Sequence, residues 1–233
     1  MIRNDIVSYR EMCNAEKAQA LQRGMNYRLN SDYSVILLSQ RPNAPYKDKV
    51  HLDGITIEYE GHDISINRSL YGHDPKKEDQ VPALSSGIYT QNGLFAKAVD
   101  DYKQNKRSAE LVKAYEKVLP GVWSLKGIFE LIDYNIVNDG NRKVFKFILR
   151  LAQKQDINIE LGEKSLVHSR IIPSEVKMQV WKRDGGQCVL CGSKENLHFD
   201  HDLPFSKGGT SLTSRNVRLL CMKHNLKKSA KIE

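Results

Sequence analysis

Two short ligand pairs stand near the end of the chain, Cys188-Val-Leu-Cys191 and Cys221-Met-Lys-His224, with Asp200-His201 between them and Asn216 and Asn225 further on. Thiolates and an imidazole in two close pairs, separated by a longer excursion, suit one tetrahedral zinc ion. Such an ion holds together a segment too small to bury a core of its own. The other reading, four residues that are simply buried or disulfide-bonded, gives no reason for the doubled short spacing. Cys13, the remaining one of four cysteines, lies far from both pairs in a helix-like stretch and is left over.

Over residues 173–233 this arrangement resembles the HNH, or ββα-metal, endonuclease family. The residues that carry the resemblance are His198-Phe-Asp200-His201-Asp-Leu-Pro204, Lys207-Gly208-Gly209-Thr210, Arg215-Asn216-Val217 and Leu219-Leu220-Cys221-Met-Lys-His224-Asn225-Leu-Lys-Lys228. In that family a zinc knuckle frames two strands and a helix. The resemblance implies Cys188, Cys191, Cys221 and His224 as structural zinc ligands, His201 as general base and Asn216 as the residue that steers its ring. It also implies Asp200 and Asn225 as ligands of a catalytic Mg²⁺ or Mn²⁺.

The chemistry accounts for those residue types. Phosphodiester hydrolysis needs a base for the attacking water, and a cation against the charge growing on the phosphate and the departing oxygen. A histidine is neutral and available near neutral pH. By strand alternation Asp200 points away from His201, so it is expected to reach the metal through a twist at the strand end. Asn225 stands where the family often has a histidine, and an amide oxygen is a suitable hard ligand for Mg²⁺ or Mn²⁺. Taken singly, Asn216 reads as a turn residue and His201 as a hydrogen-bonded surface or core group. Their joint occurrence inside a zinc framework favours chemistry. His51, His62, His73, His168 and His198 lack such framing and are assigned none, His198 being expected to pack its strand.

Residues 34–151 resemble the SRA domain, a β-rich, PUA-like module that flips a modified cytosine out of duplex DNA. The matching residues are Ile57-Glu-Tyr59-Glu-Gly61-His62-Asp63, Asp79-Gln80-Val-Pro, Gln91-Asn92-Gly93, Gly121-Val-Trp123-Ser-Leu-Lys-Gly127-Ile-Phe129 and Arg142-Lys-Val-Phe145-Lys-Phe147. The resemblance implies Tyr46 and Tyr59 as the two rings that hold the base and Asp48 as the acid on its Watson–Crick edge, with the acid's register slightly displaced. Flipping costs a few kcal/mol, and each aromatic face offsets about 1–3 kcal/mol of it. A carboxylate accepts from the cytosine amino group. The competing reading of Tyr59 is a strand tyrosine in the core. Gln91-Asn92-Gly93 reads either as an ordinary hairpin turn or as a loop that enters a DNA groove.

The elements that must position these residues give an α+β chain: a β-rich SRA-like, PUA-like barrel followed by a small zinc-bound ββα-metal domain. Good helix formers predict a leading helix over residues 5–28. Strands are predicted at 35–38, 55–59, 123–136 and 144–149, a helix at 94–102 and another starting at Pro173, with 111–118 ambiguous by period. The expected division is an N-terminal helix (1–30), a modified-base-reading domain (31–157), a linker (158–172) and a nuclease domain (173–233). At 233 residues the chain is long enough for one medium domain and a small satellite. The net charge of +8 is uneven: from Glu163 onward there are 13 Lys and Arg against 7 Asp and Glu, leaving 23 against 21 before it. A polyanion is drawn to the basic end. No long apolar run or leader-like segment is present, and clustered thiols fit a reducing compartment, so a cytoplasmic location off the membrane is expected.

Together these readings predict an endonuclease for double-stranded DNA carrying 5-methylcytosine or a related base. A homodimer is expected, because one such site cuts one strand. Two alternatives stay open: a related nuclease that reads unmodified sequence, and a non-catalytic reader of modified DNA.

Overall fold

The computed structural model describes residues 6–21, 24–29, 32–41, 43–51, 53, 55–65, 74–152, 172–202 and 213–228. The chain divides into two compact units, one of residues 1–19, 115–127 and 153–233, the other of residues 20–114 and 128–152. The leading residues and a stretch from the middle of the chain belong with the C-terminal residues. Most of the expected linker lies outside the described residues, but Ile172, its last residue, is 5% exposed and part of a core.

The second unit is built on a sheet. Its strands are β2 (Met25–Asn26), β3 (Ser34–Leu38), β4 (Lys49–Val50), β5 (Thr56–Glu60), β8 (Lys143–Leu151), and the parts of β6 (Glu110–Leu119) up to Ala114 and of β7 (Val122–Asn138) from Ile128 on. Their hydrogen-bonded order, β2-β3-β6-β7-β8-β5-β4, does not close on itself among the described residues, so the expected barrel reads here as an open path. Period-two alternation places Ile57 and Tyr59 opposite Leu149 and Phe147, all essentially inaccessible. The ambiguous stretch at 111–118 is strand because alternate Val112, Ala114, Glu116 and Val118 are buried, and so are Lys113 and Tyr115 between them. Helix α2 (Gln91–Lys103) sets Phe95 edge-on against Phe147, centroids 5.7 Å apart. The residues Gln91-Asn92-Gly93 are therefore a helix start, not a hairpin turn: the Thr90 side chain accepts from the Gly93 N–H. Only glycine fits there, since a Cβ would lie 1.8 Å from the Pro82 carbonyl oxygen.

In the first unit, β1 (Ile6–Ser8) pairs with the beginning of β7, and Ser8 caps α1 (Tyr9–Ala15) in a reciprocal box with Glu11. The predicted helix over 5–28 is thus cut to seven residues. Glu16, its C-cap, is fully buried and accepts from the Tyr115 hydroxyl at 2.5 Å, and Lys17 turns the chain with φ +50°. Helix α3 (Ser174–Arg183) lays Val176 and Val180, one turn apart, on Phe199, Val217 and Leu219 of the hairpin formed by β9 (Leu197–His201) and β10 (Val217–Cys221). Its C-cap Asp184 accepts from the Leu219 N–H at 2.8 Å, and Arg183 donates to the Val217 carbonyl at 2.7 Å. Helix α4 (Met222–Lys228) follows β10 without a break.

A buried ionic group joins three segments of this unit. Glu116, fully buried, stands 2.7 Å from the Lys126 ammonium and 3.7 Å from that of Lys177. Lys177 also donates to Ser124 Oγ at 2.7 Å, and Lys126 to the Ile172 carbonyl at 3.2 Å. Three charged groups out of water persist only because each has partners.

Candidate functional site

The metal cluster grows out of the β9–β10 hairpin. A tight turn holds the first ligand pair: Gly192 donates to the Cys188 carbonyl with φ +72°, and Val189 donates to Leu219 on β10. Cys221 ends β10, and His224 lies on the first turn of α4. The four ligand atoms all lie within 4.8 Å of one another. Cys191 Sγ is 3.8 Å from Cys221 Sγ, while His224 Nδ1 is 3.3 Å from Cys221 Sγ and 3.5 Å from Cys188 Sγ. A tetrahedron with Zn–S near 2.3 Å and Zn–N near 2.05 Å has S···S edges of about 3.8 Å and S···N edges of about 3.5 Å, so the donor set fits one such ion. The sulfurs are far too distant for a disulfide, whose bond is about 2.05 Å. Burial opposes ionisation of Cys188, yet backbone N–H groups of Cys221, Leu190 and Cys191 and the His224 ring bring its thiol down to about 6. Cys13, buried on α1, takes no part.

Asp200 and His201 are the last two residues of β9, opposite Arg218 and Val217. They leave opposite faces of the strand, as alternation requires. Asp200 is turned toward α4, where Lys228 donates to its Oδ2 at 2.5 Å and also to the His201 carbonyl. Asn225 lies three residues before Lys228 on α4, hence on the same side of that helix, half-buried. Asn216 closes a 3₁₀ turn (Ser214–Asn216) just before Val217, and its carbonyl accepts from the Asp202 N–H at 2.8 Å. The hairpin register thus sets Val217 opposite His201 and Asn216 opposite Asp202. Burial and Lys228 hold the His201 imidazole below its ordinary value, against Asp200, so the ring is neutral near pH 7. The Lys207-Gly208-Gly209-Thr210 loop and Pro204 lie outside the described residues.

In the second unit a cavity of about 600 Å³ is lined by Tyr46, His62, Asp63, Lys76, Tyr89 and Gln91, among others. Of the three residues expected to hold a base, Tyr46 lines it, and Tyr59 and Asp48 do not. His62 stands against both tyrosines. Its ring stacks on Tyr46 at 4.2 Å and 12°, and on Tyr59 at 5.7 Å and 22°. Tyr59 is inaccessible, its hydroxyl donating to the Gly24 carbonyl at 2.9 Å and lying 2.8 Å from His62 Nε2. The Lys76 ammonium stands 3.7 Å from the Tyr46 centroid; with an imidazole on one face, it must cover the other. Asn92 clamps the His62 backbone, accepting from its N–H at 2.9 Å and donating to its carbonyl at 2.8 Å.

Burial favours the neutral forms of these groups. It pushes Tyr46 up to about 12, with Asp63 adding to the effect, raises Tyr59 well above its ordinary value, and lowers His62 to about 4. Asp48 is raised to about 7 by burial, although its carboxylate accepts the N–H groups of Ser39 and Glu60. Asp63 is the exception: against burial, Lys76, Arg142 and Gln80 hold it below its ordinary value. His62, Asp63 and Lys228 stand in the stretches that carry the resemblances without a role assigned to them, and Lys76 lies outside those stretches. The usable signal for the first was a histidine-acid pair directly after a buried alternating strand.

No family model matches this chain, and no curated protein matches it in sequence. Among solved structures, it is similar to the SRA domain of SUVH5 in complex with hemimethylated CG DNA, at 19% identity over 63% of this chain and 86% of that one, with a TM-score of 0.43. The SUVH5 SRA complex with methylated CHH DNA gives 15% identity, 69% and 89% coverage and a TM-score of 0.43. The Type IV phosphorothioation-dependent restriction endonuclease ScoMcrA gives 15% identity and a TM-score of 0.40 over 99% of this chain, which spans 52% of that one.

Proposed function

We propose that this protein is a modification-dependent DNA endonuclease, with an SRA-like domain that flips and reads a modified cytosine such as 5-methylcytosine and an HNH module that cuts nearby. The observation that carries the reading is that Asp200-His201 ends the strand whose hairpin partner runs straight into the metal cluster and α4. Zinc suits the three thiols and one imidazole, and its role is to fix that hairpin to the helix. In the reaction, the neutral His201 imidazole takes the proton of the attacking water, and Asn216, one residue before the register partner of His201, would orient the ring. Asp200 and Asn225 would hold a Mg²⁺ or Mn²⁺ ion, which supplies neutralisation of charge on the phosphate and the departing oxygen. One carboxylate and one amide suit an ion that keeps several waters and takes a phosphate oxygen from its substrate.

For base reading, Tyr46 lines the cavity and would offer a base the face that Lys76 covers once that ammonium swings aside. Tyr59 and Asp48 would come to the base only if His62 withdrew from the tyrosines. A double-strand break needs two such sites, which a homodimer supplies. No helix among the described residues is long and apolar enough to cross a membrane.

One observation favours a second reading, a modified-DNA reader without catalysis: Asp200 is already engaged by Lys228. Methylated and unmethylated plasmid incubated with Mg²⁺ or Mn²⁺ separates the possibilities. Nicking of methylated plasmid alone supports the proposal; binding without nicking supports the reader; equal cutting of both supports a nuclease for unmodified sequence. His201→Ala should abolish cleavage and leave binding intact, and cleavage at the parental rate would overturn the assignment of the base.

A further inference from the structure

Lys228 is a lysine whose side chain is 3% exposed, and it ends a helix that carries no acid. A buried ammonium persists only with acceptors around it. Among the described residues Lys228 has two, Asp200 Oδ2 at 2.5 Å and the His201 carbonyl. Both belong to the dipeptide proposed to perform the cut. The ammonium thus neutralises the same carboxylate that a divalent ion would use.

We propose that Lys228 is an internal cation that balances Asp200 until a divalent ion binds, and that it moves to a phosphate oxygen of the bound strand when the ion takes its place. The inference rests on the reading of Asp200 as a metal ligand. Two positive charges added beside a buried ammonium are repelled, so without nucleic acid the ion must either bind weakly or expel Lys228 from its acceptors. DNA changes that balance. Lys223 and Lys227 are exposed on α4 and give the helix a basic surface that draws a phosphodiester backbone toward it. A phosphate then offers Lys228 a replacement acceptor and offers the ion a further oxygen. Metal and DNA accordingly strengthen each other's binding, and the free protein is kept from loading the ion that makes it a nuclease. Lys228 acts on the reaction through Asp200 and the phosphate, as a positioning residue.

The test measures Mn²⁺ binding to the full-length, zinc-loaded protein by electron paramagnetic resonance of the free ion. His201→Ala serves as the background so that DNA stays intact. In that background a short methylated duplex should tighten Mn²⁺ binding about tenfold or more. Adding Lys228→Met should tighten Mn²⁺ binding about tenfold without DNA and reduce the effect of DNA to less than about twofold. Lys228→Arg, which keeps the charge, should behave as the background protein does. If DNA leaves the Mn²⁺ affinity of the background protein unchanged, the exchange is wrong, whether or not the Lys228→Met variant folds. If Lys228→Met binds Mn²⁺ no more tightly than the background, it is wrong as well. Asp200→Asn separates the underlying reading: if it binds Mn²⁺ as the background does, Asp200 is not the ligand, whereas its loss of binding alongside an unresponsive Lys228→Met variant overturns the exchange alone.

Discussion

The His62 imidazole lies flat on the Tyr46 ring, centroids 4.2 Å apart and planes 12° from parallel, while its Nε2 meets the Tyr59 hydroxyl at 2.8 Å. Tyr46 and His62 therefore form the wall that meets the cavity, and Tyr59 supports it from behind. This ordering separates the variants. Tyr46→Ala should weaken binding of methylated duplex by about 1–3 kcal/mol, the value of one base–aromatic stack, with little loss of thermal stability. Tyr59→Phe removes a hydroxyl that donates to the Gly24 carbonyl and meets His62. It should cost about 1–2 kcal/mol of stability and leave the preference for methylated over unmethylated duplex nearly unchanged. Fluorescence anisotropy and thermal melts of both variants check this. A Tyr59→Phe protein of parental stability that no longer discriminates would mean that Tyr59 itself reaches the base.

Two buried groups in the same unit make the stability depend on pH in opposite senses. His62 has an ordinary value of 6.5 and falls to about 4 in the folded protein, chiefly through burial. Its contribution is complete above 6.5 and is lost as pH falls toward 4, because the unfolded chain takes the proton first. Asp48 goes from 3.8 to about 7, also through burial. Its contribution is complete below 3.8 and is lost as pH rises through about 7. Between about pH 4 and 6.5 the two slopes oppose each other, so each variant uncovers the other group. His62→Phe should make the melting temperature fall with rising pH across this window, and Asp48→Asn should make it rise more steeply than in the parent. Parallel melting curves for all three proteins would show that neither group is as secluded as its surroundings indicate.

The buried ionic group of the other unit gives a larger effect. Glu116→Gln leaves the Lys126 and Lys177 ammonium groups facing a neutral amide. The expected cost is about 3–5 kcal/mol in denaturant unfolding, since a buried charge has lost its counter-charge. Replacing Glu116 and Lys126 together by methionine should recover much of it, because Lys177 keeps its bond to Ser124. If Glu116→Gln costs less than about 1 kcal/mol, water reaches the group and the pair adds little.

The contrast between what the sequence made legible and what it hid follows from how local each signal is. The Cys and His cluster was legible because its short pairs recur in the chain, and Cys191, Cys221 and His224 lie at separations that one tetrahedral ion would need. Strand β3 was readable from its apolar run, β5, β7 and β8 from their strand pattern, and α2 from its periodicity. The extent of α1 was not, because propensity over 5–28 gives way to a tertiary contact, the buried Glu16 against Tyr115, 99 residues away in sequence. Nor could spacing reveal that His62 meets two tyrosines or that Lys228 covers Asp200. Both are side-chain placements across elements, and a histidine or lysine at a strand or helix end has the same local pattern when it faces water. The division into units was hidden for the same reason: Glu116, Lys126 and Lys177 recognise one another only once folded.

Removal of the metal should undo one unit from a defined point. Cys188, Cys221, Leu197 and Leu220 form one buried cluster, and Trp181 packs against both this cluster and the one built on Val180, Phe199 and Leu219. Loss of the ion leaves three thiols and an imidazole gathered without the bond that justifies their approach, and the knuckle has too little core to hold them. In a Trp123→Phe background, so that Trp181 is the sole indole, a chelator should shift the tryptophan emission to the red, and Zn²⁺ should restore it. Co²⁺ in place of Zn²⁺ should give visible d–d bands of a tetrahedral site together with thiolate-to-metal charge transfer. Cys221→Ser should lower metal affinity and give the chelated spectrum at metal concentrations that saturate the parent, whereas Cys13→Ser should match the parent, as Cys13 lies on α1 outside the cluster. An unshifted Trp181 spectrum after complete metal removal would mean that the hairpin and α4 hold together by packing alone, and that the cysteine pairs serve some other end.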